Sequence, residues 1–441
     1  MAAAALRAWW LRRRVASLVI SALVVLAALI TGLVAPAAAG AAATPITAYV
    51  INNAGNTVTP IDVFTNTPGA PITVGNAPRG VATTPDGKTV YVTNRDDDTV
   101  TPIEVVTNTP GTPIPVGAFP FGVAVTPDGK TAYVVNNNSN NVTPIDVATN
   151  TPGTPIPVGN DAHAVAFTPD SKTAYVTNSA SNSVTPIDVA TRTPGIPIPA
   201  GNNPQGIAIT PDGKTAYITN NGNAGSATVT LIDIASNTRG IQIPVADRPV
   251  GIAITPDGKT AYVTNQRINA ATPIDLATNT PGTPIPVGDG ALPFAIAITP
   301  DGKTVYVVNR DNDTVTPIDV ATNTAGIPIP VGDRPIGIAI TPLARATATT
   351  TTLNVIKVPL PLGLGGVVVP TATVAPPNAA GSVQFTDGAA NLGAPVPVIA
   401  GRATGPVTFL KKGPHSLTAV FTPTNPASFM PSTSNTVTFT F

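Results

Sequence analysis

Cysteine is absent from the 441-residue chain, charged residues make up only 10% and aromatic residues 5%. Without cysteine there is no disulfide framework, no thiolate zinc site, no cysteine nucleophile and no covalently attached c-type haem. Lys plus Arg and Asp plus Glu both number 23, so no basic field points to nucleic acid. No stretch holds a 3.6-residue apolar period, and 50 prolines interrupt the chain, which argues against helices. Histidine occurs twice, at His163 and His415, so no histidine cluster offers a metal site. No glycine-rich phosphate loop opens a helix. The expectation is therefore no cofactor and no catalytic constellation.

One long apolar run is present, Val15–Val34, behind Arg7 and Arg12–Arg14 and ahead of Ala37–Ala39. Positive, apolar and small-residue regions in that order read as an export signal over residues 1–39, cleaved between 39 and 43. The run is also long enough to span a bilayer as an uncleaved anchor. Either way the remainder is exported, which predicts a secreted or cell-surface, extracytoplasmic bacterial protein. The mature form would have no membrane span unless the signal stays uncleaved.

Repeats dominate the rest of the chain. All seven tyrosines (Tyr49, Tyr91, Tyr133, Tyr175, Tyr217, Tyr262 and Tyr306) open a Tyr-Val/Ile-x-Asn motif, spaced 42, 42, 42, 42, 45 and 44 residues apart. A period of 40–45 residues built of short β-rich segments matches a four-stranded propeller blade. In one unit, Gly122–Thr126 reads as strand A, Thr131–Asn136 as B, Val142–Val147 as C and Thr154–Val158 as D. Pro127-Asp-Gly-Lys130 turns between A and B. Pro155 and Pro157 turn their missing donors to one side, so D is placed outermost and expected to be short or irregular. Pro144 in strand C must lose one ladder bond, and six of the seven repeats keep that proline. The chain reaches its first strand B without a strand A and ends its last repeat with a spare one, Gly337–Thr341. Pairing of that segment with Thr47–Asn52 would close a seven-bladed ring.

Tyr-Val-Thr-Asn, Asn-Thr-Val, Ile-Asp-x-Ala-Thr-Asn-Thr, Ile-Pro-Val-Gly and Thr-Pro-Asp-Gly-Lys together resemble the YVTN-family β-propeller repeat over residues 44–342. That resemblance implies an exported or surface protein, with lactonase-like enzymes among related propellers. Thr-Pro in strand C departs from the family pattern. Residues 343–352 read as a Thr-rich linker. Residues 353–441 carry seven short strand patterns, starting with Leu353–Val358 and including Gly405–Phe409, and resemble a bacterial Ig-like β-sandwich. The fold class is all-β, a seven-bladed propeller followed by an Ig-like sandwich.

Seven acids, Asp62, Glu104, Asp146, Asp188, Asp233, Asp275 and Asp319, hold one repeat position. Each ends strand C three residues before a Thr or Ser, the signature of a capped turn rather than of a general base. Asn94-x-Asp96-x-Asp98 and Asn309-x-Asp311-x-Asp313 alternate oxygen ligands as calcium favours. No downstream residue completes a known cage, so Asp96, Asp98, Asp311 and Asp313 are weak calcium candidates in solvated hairpin loops.

The B–C and D–A loops share one face of a propeller, and there the repeats vary. Twelve residues before the motif tyrosine stand Arg79, Phe121, His163, Gln205, Val250 and Phe294, with Ile336 at the same place in the spare strand. Arg248 and Arg334 lie beside this ring, and the B–C loops add Arg95, Arg267 and Arg310. Varied large side chains on a repeated frame suit a binding surface; drift at exposed loop tips is the competing reading. The expected partner is an extracellular protein or glycan bound without catalysis, with a lactonase-like hydrolase as the alternative.

Overall fold

The computed structural model describes residues 46–222, 226–342, 349–361, 364–377, 379–424 and 429–441. The expected signal and its cleavage window lie outside them. The chain divides into two compact units, one running from Ala43 to Arg345 and one from Ala346 to Phe441.

The first unit is a seven-bladed propeller. In blade 3, strand A spans Pro120–Val125, B Thr131–Asn136 and C Asn141–Asp146. Strand D is two fragments, Thr151–Pro152 and Ile156–Pro157, which both pair with C. Strand B is buried from its second residue to its last, because blades cover it on both sides. The apolar clusters accordingly join neighbours: Tyr133 and Val142 of blade 3 pack with Ala162, Val176 and Ile187 of blade 4.

Strand D confirms the expected irregular edge. The N–H of Val158 donates to the Asn140 carbonyl at 3.0 Å, so the alternating residues Pro155 and Pro157 turn their missing donors away from strand C. The same alternation explains the proline in strand C. The N–H and C=O of one residue in an antiparallel strand point to the same side. The Pro144 carbonyl accepts the Gly153 N–H at 2.7 Å, so its missing donor also faces D, in the interval where D is interrupted. The ladder to strand B, where Tyr133 stands opposite Pro144, does not need that donor. Equivalent 2.7 Å bonds occur at Pro60, Pro102, Pro186, Pro273 and Pro317. The repeat that carries Leu231 instead has an unbroken strand D, Thr238–Pro244.

The ring closes as expected. Strand Pro335–Ile340 pairs with Thr47–Asn52, setting Tyr49 opposite Ala339 and Ala48 opposite Ile340. The Thr341 N–H adds a bond to the Thr47 carbonyl at 2.9 Å. The first blade is thereby completed by the last repeat, and strand Thr47–Asn52 is left with no open edge.

The second unit is a two-sheet sandwich. One sheet holds Thr350–Pro359, Gly366–Ala375, Arg402–Thr404 and Thr408–Leu410. The other centres on Gly381–Asp387 and Pro414–Pro423, with Val437–Thr440 beside the latter. Leu353, Val368, Phe385, Leu417 and Phe421 fill the space between them. Two sequence expectations are corrected. Thr350–Thr352, expected in the linker, begins the first strand, where Thr351 and Leu353 alternate into the interior. The expected strand Gly405–Phe409 starts only at Thr408, and Arg402–Thr404 pairs where none was expected.

Candidate functional site

Strand A is the innermost strand of each blade, and its second residue sits in a bulge. In blade 3 the pairing jumps from Pro120 to Val123, leaving Phe121 and Gly122 unpaired with strand B. Bulges re-aim side chains, and the same register shift occurs in all seven A strands. Adjacent A strands converge here so closely that a Cβ at Gly80 would collide with the Phe121 carbonyl oxygen. In four repeats a threonine ties the bulges together. Thr93, for example, accepts from the Gly80 N–H at 2.7 Å and donates to the Phe121 carbonyl of the next blade at 2.7 Å.

The variable ring therefore does not occupy exposed loop tips. Arg79, Phe121, His163 and Phe294 are half-buried, while Val250 and Ile336 are buried. They line the mouth of the central channel around a cavity of about 200 Å3. The Arg79 guanidinium lies 4.1 Å over the Phe121 ring and 5.8 Å from the Phe294 ring. Phe121 meets His163 edge-on with ring centroids 4.8 Å apart. Gln205 turns aside, donating to Asn203 at 2.8 Å and to Ser179 at 3.2 Å.

The electrostatics are lopsided. Burial pushes the His163 pKa down to about 3, helped by the Arg79 charge, so the imidazole is neutral at physiological pH. Burial, then the charges of Arg95 and Arg310, lowers the Arg79 pKa to about 10. It remains a cation at neutral pH, yet it makes no hydrogen bond or ion pair with any described residue, and its Nε is buried without a partner.

The other candidates are placed differently. Arg95 pairs with Asp96 at 2.7 Å and Arg310 with Asp311 at 3.3 Å. Arg267 reaches Asp247 at 3.5 Å. Arg248 and Arg334 are exposed, each at a left-handed backbone position of a D–A loop. Asp98 and Asp313 accept the backbone N–H groups of Phe119 and Arg334 at 2.8 and 2.7 Å. Asn56, Asn140, Asn182 and Asn269 do the same at their repeat positions. The four calcium candidates thus hold loops or arginines, and no group of three or more metal-binding side chains occurs among the described residues.

The strand-C acids cap turns as expected. Asp146 accepts the Thr149 hydroxyl and N–H at 2.8 and 2.9 Å, and those bonds hold its carboxyl below the usual carboxylate range. Glu104 accepts the Thr107 hydroxyl at 2.7 Å.

Sequence reasoning missed an inter-blade latch. Six motif tyrosines donate their hydroxyls to an asparagine in the next blade's C–D turn, among them Tyr91 to Asn150 at 2.6 Å and Tyr306 to Asn66 at 2.5 Å. The last of these crosses the ring closure. Tyr133 faces Arg192 at that position, and its buried hydroxyl has no partner. The signal was the Asn of each Thr/Ser-Asn-Thr turn, which repeat 4 alone replaces.

Residues 43–162 match the seven-bladed lactonase β-propeller family, residues 112–258 the YNCE-like β-propeller family, and residues 355–441 the bacterial Ig-like domain, group 3. The protein is a seven-bladed β-propeller of repeated blades, followed by a domain that matches the bacterial Ig-like family over residues 355–441. Its fold is similar to that of Kuenenia stuttgartiensis hydrazine synthase, with 25% identity and a TM-score of 0.58 over 66% of this chain and 99% of that one. A functionally unknown protein from Desulfotomaculum acetoxidans DSM 771 shares the fold at 18% identity and a TM-score of 0.60, covering 67% of this chain and 99% of that one. Dihydro-heme d1 dehydrogenase NirN shares it at 16% identity and a TM-score of 0.52, covering 66% and 74%. No curated protein matches the sequence.

Proposed function

We propose that this is an exported, non-catalytic binding propeller that recognises a protein or glycan through its channel-mouth face. The signal over 1–39, cleaved between 39 and 43, would deliver the propeller of 44–342 and the sandwich of 353–441 outside the cytoplasm. The bacterial Ig-like domain supports that location, and no helix among the described residues is long and apolar enough to cross a membrane. The observation that carries the reading is the mouth itself. Seven equivalent positions hold six kinds of side chain on one frame, and one of them is an arginine without a partner. A fold that merely drifted would not retain a half-buried charge without a counter-ion, because that arrangement is destabilising on its own.

Pull-down from cell envelope and glycan-array binding test the reading. A partner should bind the wild type and Lys130→Ala, which alters the opposite face, and should be weakened by Arg79→Ala or Phe294→Ala. Loss of binding in Lys130→Ala with the mouth variants silent would place the surface on the wrong side.

The lactonase-family match favours a second reading, hydrolysis at the same mouth. His163, the sole histidine of the propeller, is held neutral and touches Phe121 rather than a carboxylate. A panel of lactones and esters tests this; turnover abolished by His163→Ala would replace the binding reading.

A further inference from the structure

Resting on the binding reading above, we propose that the group received at the channel mouth is a carboxylate, held by Arg79. Phe121 and Phe294 pack against the guanidinium. Stacking leaves the planar N–H edge for a ligand, and that fork matches a planar carboxylate in bidentate fashion. No carboxylate of the protein takes the place. Asp96 and Asp311 are engaged by Arg95 and Arg310, and the remaining wall is made of Val250, Ile336 and neutral side chains. With those two flanking arginines already paired, Arg79 is the one charged side chain that lines the cavity. That fits a monoanion better than a phosphate dianion. The cavity of about 200 Å3 lies below the ~300–1,000 Å3 of pockets that enclose a whole drug-sized ligand. It suits one carboxylate-bearing group, either a free small acid or the terminal uronate of a glycan whose other residues rest on the loops.

The test uses the full chain as wild type, Arg79→Met and Arg79→Lys, titrated calorimetrically with glucuronate, acetate, glucose and inorganic phosphate. Glucuronate should bind the wild type, lose at least tenfold in affinity to Arg79→Met, and recover only partly with Arg79→Lys. Glucose should not bind, and phosphate should bind more weakly than glucuronate. Acetate binding as tightly as glucuronate would identify a free acid; glucuronate alone would identify the glycan terminus. Without ligand, Arg79→Met should melt at a higher temperature than the wild type, because a shorter, unbranched apolar chain removes an unpaired half-buried charge. A lower melting temperature would make Arg79 a structural residue and overturn the proposal. So would phosphate binding at least as tightly as glucuronate, or glucuronate binding that Arg79→Met keeps. A neutral glycan or protein partner bound through this face equally by wild type and Arg79→Met would overturn the carboxylate and leave the binding face standing.

Discussion

Replacing Arg192 by asparagine should stabilise the propeller. At this position six of seven repeats carry an asparagine in left-handed conformation, whose side-chain oxygen accepts a tyrosine hydroxyl from the preceding blade at 2.5–2.9 Å. Arg192 keeps the backbone, with φ near 57°, but cannot accept, so the Tyr133 hydroxyl stays buried and unbonded. Leaving a buried hydroxyl unsatisfied costs about 1–3 kcal/mol. Left-handed geometry costs L-residues up to about 1–2 kcal/mol, and asparagine relieves part of it. Against this stands the packing of the Arg192 guanidinium across Gly153, at an otherwise exposed side chain. The net gain is about 1–2 kcal/mol. Calorimetric melting should rise by about 2–5 °C, near the lower slope known for large domains. A double-mutant cycle isolates the bond. Tyr133→Phe should be neutral or stabilising in the wild type and should cost about 1–2 kcal/mol in the Arg192→Asn background, as Tyr91→Phe should in the wild type. If Tyr133→Phe is as costly in the wild type as Tyr91→Phe, the hydroxyl already has a partner and the reasoning fails.

Ser171, the one non-glycine in its turn series, does adopt φ near 61°, but its hydroxyl also accepts the Asp128 N–H of the neighbouring blade at 3.0 Å. Ser171→Gly should therefore shift stability by no more than about 0.5 kcal/mol, while Ser171→Ala, which loses the bond and keeps the strain, should cost about 1 kcal/mol in denaturant titration. Truncation after Asp333 should unfold the propeller at a much lower temperature than truncation after Pro342, because only the first removes the closing strand; equal melting would refute the closure. In the sandwich, His415 sets Nδ1 2.6 Å from Asp387 and Nε2 2.8 Å from the Lys411 carbonyl, two acceptors that only the imidazolium can satisfy together. Burial opposes the charge, but these bonds and the carboxylate raise its pKa above 6.5. The stabilisation is therefore full below about pH 6.5 and fades as pH rises through the folded-state value. Sandwich stability should fall over that range in the wild type and not in His415→Gln.

The blade architecture was legible because it is written seven times. Periodic tyrosines located strand B, the Pro-Asp-Gly turns located the A–B corners, and the unmatched first and last strands implied how the ring closes. What one strand's pattern could not reveal was a relation between strands. Pro144 looked like a defect because its missing donor had no assigned direction. Only the register shows that the donor would face the gap in strand D, and Leu231 beside an unbroken D shows the two features vary together. The sandwich was less legible for the opposite reason. It occurs once, its threonine-rich first strand reads like linker, and alternation over three residues is too short to stand out from loop.

The site was half legible for a related cause. Internal repetition separated frame from variation and picked out the ring of Arg79, Phe121, His163 and Phe294. It could not show that these side chains bend inward, because the bulge that aims them depends on how neighbouring A strands crowd the axis. Nor could counting charges find the lone cation. The sequence puts an aspartate directly after Arg95 and Arg310 and a glycine after Arg79, but it does not say that those two pairs close or that Arg79 stacks on phenylalanines. A pairing is a three-dimensional property. The absence of a pairing partner for Arg79, the one charged side chain lining the cavity, is the observation on which the proposed carboxylate preference rests.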